Sequence, residues 1–310
     1  MNIKSLTKIA LAMLVGLAAA TAQAAQTYLP FALASNEAGT IVAKLDSTKK
    51  SLTDNGFEIA GEYSPYAGAH VIVVTNAELK KAAASHNRSG YIAAQRISLT
   101  EMAGKVQVSY TNPTYMSYAY RVNSKLAQTS AALKKALGHV QDFGPSEGLD
   151  AEDLNEYHYT FGMEYFDEPL ELASKGSHDA MVAVIEKNLA AKKLGATKVY
   201  KIDIPGTSQT LIGVAMKASE GAKANKYMDD SFIMGEIDFK PLRSTAHLPY
   251  EILVKGKEAE ALHARFRIAI NFPDLAMMGD NSFMNIMPTP DAIRDVLTKV
   301  AGGKSTDDDF

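Results

Sequence analysis

The chain contains no cysteine, which excludes disulfides, zinc–thiolate sites, iron–sulfur clusters and thioether-linked haem. It has no basic surplus either. Lys and Arg number 32 against 35 Asp and Glu, a formal net charge of −3, and neutralising nucleic-acid phosphates needs the opposite balance. No nucleic-acid partner is expected. The P-loop, H-E-x-x-H and G-x-G-x-x-G are all missing, so neither the common metalloprotease motif nor the nucleotide-binding ones are written in the chain. Beyond residue 20 no apolar run approaches the ~20 residues of a membrane span.

What is present is a chain of 310 residues, 46% hydrophobic and 22% charged, enough for a large core and long for one domain. Residues 1–24 read as an export signal: Lys4 and Lys8, an apolar run from Ile9 to Ala20, and the small pair Ala22-x-Ala24 before the cleavage point. Cleavage leaves 30 basic against 35 acidic side chains. A periplasmic, secreted protein with no membrane span after cleavage is the expectation, and a cysteine-free chain of this size can rely on its core there.

The remainder reads as an internal repeat. In the first copy, residues 25–140, a strand at Tyr28–Leu33 precedes a helix carrying Ile41, Leu45 and Leu52 and ending at Asn55-Gly56. Strands at Phe57–Tyr63 and His70–Thr75, a short helix, and a hairpin of Tyr91–Leu99 with Lys105–Tyr110 follow, ending at Asn112-Pro113. A helix from Asn123 to Leu137 closes the copy. In the second, residues 172–302, Ser177 caps a helix with Met181, Val182, Ile185 and Leu189 on one face. Strands at Thr197–Ile204, Thr210–Met216, Pro249–Val254 and Arg265–Asn271 then lead to a last helix, with 217–247 as an insertion. Setting Pro113 on Pro273 places Val106, Val108 and Tyr110 on Phe266, Ile268 and Ile270. The fold class is therefore α+β: two related small domains, each with a mostly antiparallel sheet covered by helices. Residues 141–171 form a connector too aromatic for a solvated tether, with Tyr157, Tyr159, Phe161, Tyr165 and Phe166 expected to pack, and 303–310 a loose tail.

Asn55-Gly56-Phe57, the strand His70–Thr75 and the run from Gly104 to Pro113 resemble the DUF302 family, and Leu248–Val254 followed by Asn271-Phe272-Pro273 looks like that family's closing hairpin. The likeness covers about two thirds of the chain after the signal. The second copy departs in its insertion, in Gly195-Ala196 for Gly-Phe, and in Phe272 between Asn and Pro. The resemblance implies a small α+β domain, twice over. The family's function is unknown, so it implies no catalytic residue.

Candidate chemistry is sparse. Met277, Met278, Met284 and Met287 offer soft thioethers, but methionines more often fill core gaps beside residues such as Phe283 and Ile286. Tyr157, His158 and Tyr159 form the aromatic cluster assigned to ligand binding; haem ligation by His158, Tyr or Met163 is the cofactor alternative, and no cofactor or metal is assigned. Ser177-His178-Asp179 names triad residue types on adjacent positions that should point apart. Asp229-Asp230 and Glu236 with Asp238 read as a solvated acidic face. The expected function is a non-catalytic module binding an unknown small ligand or periplasmic protein. The alternatives are an enzyme with a polar site between the domains and a metal or haem carrier.

Overall fold

A computed structural model describes residues 26–218 and 225–304; the export signal expected at 1–24 and the tail from residue 305 lie outside them. In chain order the first half holds β1 (Phe31–Ala38), α1 (Ile41–Asp54), β2 (Glu58–Tyr63), β3 (Ala69–Thr75), α2 (Ala77–Ala83), β4 (Gln95–Met102), β5 (Lys105–Thr111), α3 (Pro113–Ala119) and α4 (Ala127–Leu137). A short β6 (Gln141–Phe143) and α5 (Ala151–Asn155) follow. The second half holds β7 (Leu170–Ser174), α6 (His178–Ala190), β8 (Ala196–Ile204), β9 (Gln209–Met216), α7 (Asp230–Ile237), β10 (Tyr250–Lys255), β11 (Glu258–Ala261), α8 (Ala264–Asn271) and α9 (Thr289–Val300).

All these strands join one sheet in the order β6-β1-β5-β4-β3-β2-β8-β9-β10-β11-β7, and each pairing is antiparallel. The class is α+β with a large antiparallel sheet. The halves meet at β2 and β8 through the pairing of Gly61 with Tyr200. Glycine is needed there, because a Cβ on Gly61 would sit 2.1 Å from the Val199 carbonyl oxygen. Gly213 of β9 is needed too, since a Cβ would come 2.1 Å from the Tyr200 ring.

Side-chain parity sorts the core into three layers. Ile72 and Val74 of β3, Ile97 and Leu99 of β4, and Val106, Val108 and Tyr110 of β5 face outward beneath α1 and α4, with Leu52 and Leu133. Ile212, Val214, Ile252 and Val254 face outward beneath α6 and α9, with Met181, Ile185, Ile293 and Leu297. The intervening residues Val71, Val73, Leu211 and Leu253 meet in a third cluster with Tyr115, Phe166, Phe266 and Ile270. The inner faces of the halves therefore lie against each other. β4 and β10 are five strand steps apart, roughly 24 Å across a flat sheet at ~4.8 Å per step. Yet Arg96 of β4 donates to Glu251 of β10 at 2.7 Å. The sheet must curl back on itself.

Several expectations are corrected. Arg265–Asn271 is helix α8, not a strand. Its alternating look arises because Phe266 and Ile270 point into the inner layer while Ala264 and Ile268 point into the outer one, so the helix is apolar on both sides. The gapless match of Val106–Tyr110 to Phe266–Ile270 fails with it: β5 has as its counterpart in element order β11, and Pro113 opens α3 at its first turn. Asn123–Leu137 is helical only from Ala127. Met277, Met278, Met284 and Met287 are exposed, not core; in the short 3-10 turn Phe283–Ile286 the buried position goes to Ile286. The described part of 217–247 covers the inner face of β4 and β5: Thr245 meets Thr100 and Tyr66, each at 2.9 Å, and Gln107 donates to the Pro241 carbonyl at 2.7 Å.

The aromatic segment is mixed. Phe166 is buried, with ring centroids 5.5 Å from Tyr120 and 6.0 Å from Phe266, and so joins the halves. Phe161 is 99% exposed. Phe166→Ala should therefore cost about 3–5 kcal/mol in urea unfolding, and Phe161→Ala within about 0.5 kcal/mol of nothing; equal effects would contradict this packing.

Candidate functional site

The inner face of the sheet is polar where β4 and β5 contribute Arg96, Ser98, Thr100, Gln107, Ser109 and Thr111, all buried. At its centre Glu251 accepts from Arg96 (2.7 Å), from Arg267 of α8 (2.5 Å) and from the Tyr200 hydroxyl (2.6 Å). Arg96 Nε also donates to the Ala246 carbonyl at 3.1 Å, and Arg267 to the carbonyls of His247 and Pro249 at 2.6 and 2.8 Å. Burial alone would raise the Glu251 carboxyl, but the two guanidiniums and the Tyr200 hydroxyl outweigh it and hold it below the usual range. Burial, then the same two guanidiniums, push the neighbouring His247 imidazole well down. It lies 3.2 Å from the Tyr250 hydroxyl and edge-on to Phe272.

Two further carboxyls are buried nearby, where the sequence suggested a solvated face. Asp230 accepts from the Tyr63 hydroxyl and the Met216 N–H, each at 3.1 Å. Burial drives it up to about 8. Asp238 accepts from Ser244 N–H at 2.8 Å and faces Thr245 Oγ1 at 3.5 Å. Burial raises it to about 7.

Asp238 lines a cavity of about 360 Å³ between β6, residues 237–244 and the end of α8, within the roughly 300–1,000 Å³ span of small-molecule sites. Its apolar walls include Leu29, Phe143, Ile237, Leu242 and Phe272. Its polar rim is largely committed: Lys240 bridges Asp274 and the Gly144 carbonyl, and Asp142 faces His139 Nε2 at 2.9 Å. One buried lining atom is not. Asn271, 1% exposed, donates through Nδ2 to the Arg267 carbonyl at 2.9 Å, while its Oδ1 has no partner. A buried unpartnered acceptor costs about 1–3 kcal/mol, so it is a place where a ligand donor is worth most.

Tyr157, His158 and Tyr159 do not gather around one cavity. Tyr157 and Tyr159 donate their hydroxyls to the carbonyls of Ala269 and Leu275, each at 3.0 Å, fastening α8 and the chain beyond it. His158 lies on the Tyr165 ring, centroids 4.4 Å apart, beside a shallow hollow lined by Arg121, Glu156 and Asp167. His178 and Asp179, expected to diverge, do meet at 3.2 Å, and His178 Nε2 lies 3.0 Å from Thr210. The Thr210 proton, however, points to Asp203 at 2.7 Å, so no hydroxyl is activated by the histidine. Among the described residues no three His, Asp or Glu gather as a metal would require, and no helix is long and apolar enough to cross a membrane.

Arg96, Glu251, Arg267 and Asn271 were passed over in the sequence. The signal for Glu251 is an acid flanked by the apolar residues of the strand YEILVK, which a strand buried on both faces tolerates only with partners. Comparison with family models, with curated proteins and with solved structures returned no match.

The two buried aspartates set a pH dependence. Their folded values lie above the ordinary 3.8, so the folded chain binds more protons than the unfolded one and stability falls as pH rises from about 4 to 8. Asp230→Asn and Asp238→Asn each remove one such contribution. Urea midpoints measured from pH 5 to 8.5 should fall less steeply in either variant than in the parent; parallel profiles in all three proteins would refute the assignment.

Proposed function

We propose that the chain is an exported, non-catalytic binding module of the periplasm, built from two related DUF302-like units, and that it holds a small ligand in the cleft of β6, residues 237–244 and the end of α8. The observation that carries this reading is Asn271 Oδ1, a buried acceptor without a partner on the wall of a cavity large enough for a small molecule and lined by apolar and polar side chains together. Relatedness of the halves is supported by their sheet order. Outward from the β2–β8 seam one side runs β3, β4, β5, β1 and the other β9, β10, β11, β7, and each half has the order strand, helix, two strands, hairpin, two helices once α2, α7 and the 3-10 turns are set aside. The DUF302 likeness gains from Gly56 at φ +85° after α1 and from Asn112, which caps α3 by accepting from the N–H groups of Thr114 and Tyr115. Export rests on Lys4, Lys8, the apolar run and Ala22-Gln23-Ala24.

An enzyme in the same cleft is the second reading. It is favoured by Asp238, whose value of about 7 suits a general acid or base at neutral pH. Conversion of a bound small molecule during incubation would select it. In both readings Tyr157 and Tyr159 brace α8, and His158 sits outside the cleft.

Native mass spectrometry on protein isolated from the periplasm tests the proposal. The expected spectrum starts at Ala25 and carries a non-covalent small-molecule adduct, which Leu242→Trp removes by filling the cavity. Full-length protein retained in the membrane would contradict export, and an adduct that persists in Leu242→Trp would contradict the cleft.

A further inference from the structure

We infer that the cleft selects small primary amines, the ammonium group recognised by the Asp238 carboxylate and Asn271 Oδ1 and an alkyl body of a few carbons packed on Phe143, Leu242 and Phe272. The inference rests on the cleft reading and adds the chemical class of the ligand.

Of the charged side chains in the cleft wall, Asp142 is paired with His139, and Asp274 with Lys240. The Asp238 carboxyl accepts hydrogen bonds from the Ser244 N–H and Thr245 and feels the charge of the adjacent Arg243, but Arg243 gives its N–H donors elsewhere, NH1 to the Asp238 backbone carbonyl and Nε to Met102 Sδ at 3.2 Å. The uncommitted groups are thus a buried carboxylate and a buried amide oxygen, both acceptors. A ligand that satisfies them must donate, and one carrying a positive charge also relieves the cost of the buried carboxylate. An anionic ligand would meet three carboxylates with the one lysine already taken. A bare divalent cation needs six or more oxygens, whereas much of this wall is hydrocarbon. An ammonium head on a short apolar body matches both parts: charge-assisted N–H donors for the acceptors and alkyl surface for Phe143, Leu242 and Phe272.

The probes are n-pentylamine, 1-pentanol, pentanoate and calcium chloride, titrated into the full mature protein by calorimetry at pH 8, where Asp238 is ionised and the amine keeps its proton. Pentylamine should bind at least tenfold more tightly than 1-pentanol or pentanoate. Asp238→Asn should weaken it at least tenfold. Lys240→Met, at a half-exposed position, frees Asp274 and should strengthen it several-fold, so the inference does not depend on the behaviour of one buried variant. Equal or tighter binding of 1-pentanol, pentanoate or calcium, or weaker amine binding in Lys240→Met, overturns the amine inference. If one of those other probes also competes with the native adduct, the cleft reading survives without it. If no probe binds and the adduct persists in Leu242→Trp, both fail.

Discussion

Glu251 lies between two arginines in a place water does not reach, and the architecture follows from that arrangement. All three side chains are almost wholly buried. Taking such charges out of water carries a penalty of several kcal/mol per ion, and only close, fully hydrogen-bonded geometry repays it. The geometry is supplied by β4, β10, α8 and Tyr200 of β8 together. Because β4 and β10 stand five steps apart in the sheet, the contact exists only if the sheet curls. Gly61 and Gly213 make room for Tyr200 at the seam where it does so. With two positive groups against one negative, the carbonyls of Ala246, His247 and Pro249 take further N–H donors, and Arg267 Nε is left without a partner.

The same constraint builds the cleft. A polar inner face on β4 and β5 needs polar partners from whatever covers it, and residues 238–247 supply them through Pro241, Arg243 and Thr245. That covering segment also contributes Asp238 and Leu242 to the cavity wall. α8 links the two regions directly: Arg267 reaches Glu251, and one turn later Asn271 donates back to the Arg267 carbonyl while presenting an uncommitted oxygen. Tyr157 and Tyr159 hold the far side of that helix and the chain after it. The residues that join the halves and those that line the cleft are therefore positioned by one another.

Local features were legible in the sequence. The cap at Ser177, the apolar stripe Met181, Val182, Ile185 and Leu189, and the glycine after α1 form as their chemistry dictates, and so does the β4–β5 hairpin, with its first strand starting at Gln95 and not at Tyr91, which lies in a 3-10 turn. The long-range consequences were not. Val106, Gln107, Val108 and Ser109 alternate as a strand with one wet face would, and nothing local says that residues 238–247 will cover it. α8 looks like a strand because it is packed on both sides, which removes the polar stripe that marks a surface helix. Asp230 looks solvated because its burial depends on a partner far away in sequence, Tyr63, and Asp238 because the loop that encloses it through Ser244 and Thr245 carries no periodic pattern that marks it as buried. Asn271 stood inside the Asn-Phe-Pro motif, but its free oxygen is a property of the folded wall.

The most direct test of this account is a double-mutant cycle between Arg96→Met and Glu251→Gln, read by urea unfolding. The account predicts a coupling energy of about 2–3 kcal/mol, because either single change leaves a buried charge short of its partner. Additive effects would mean that the Arg96–Glu251 contact does not hold the curled sheet together, and would contradict the claim on which the cleft depends.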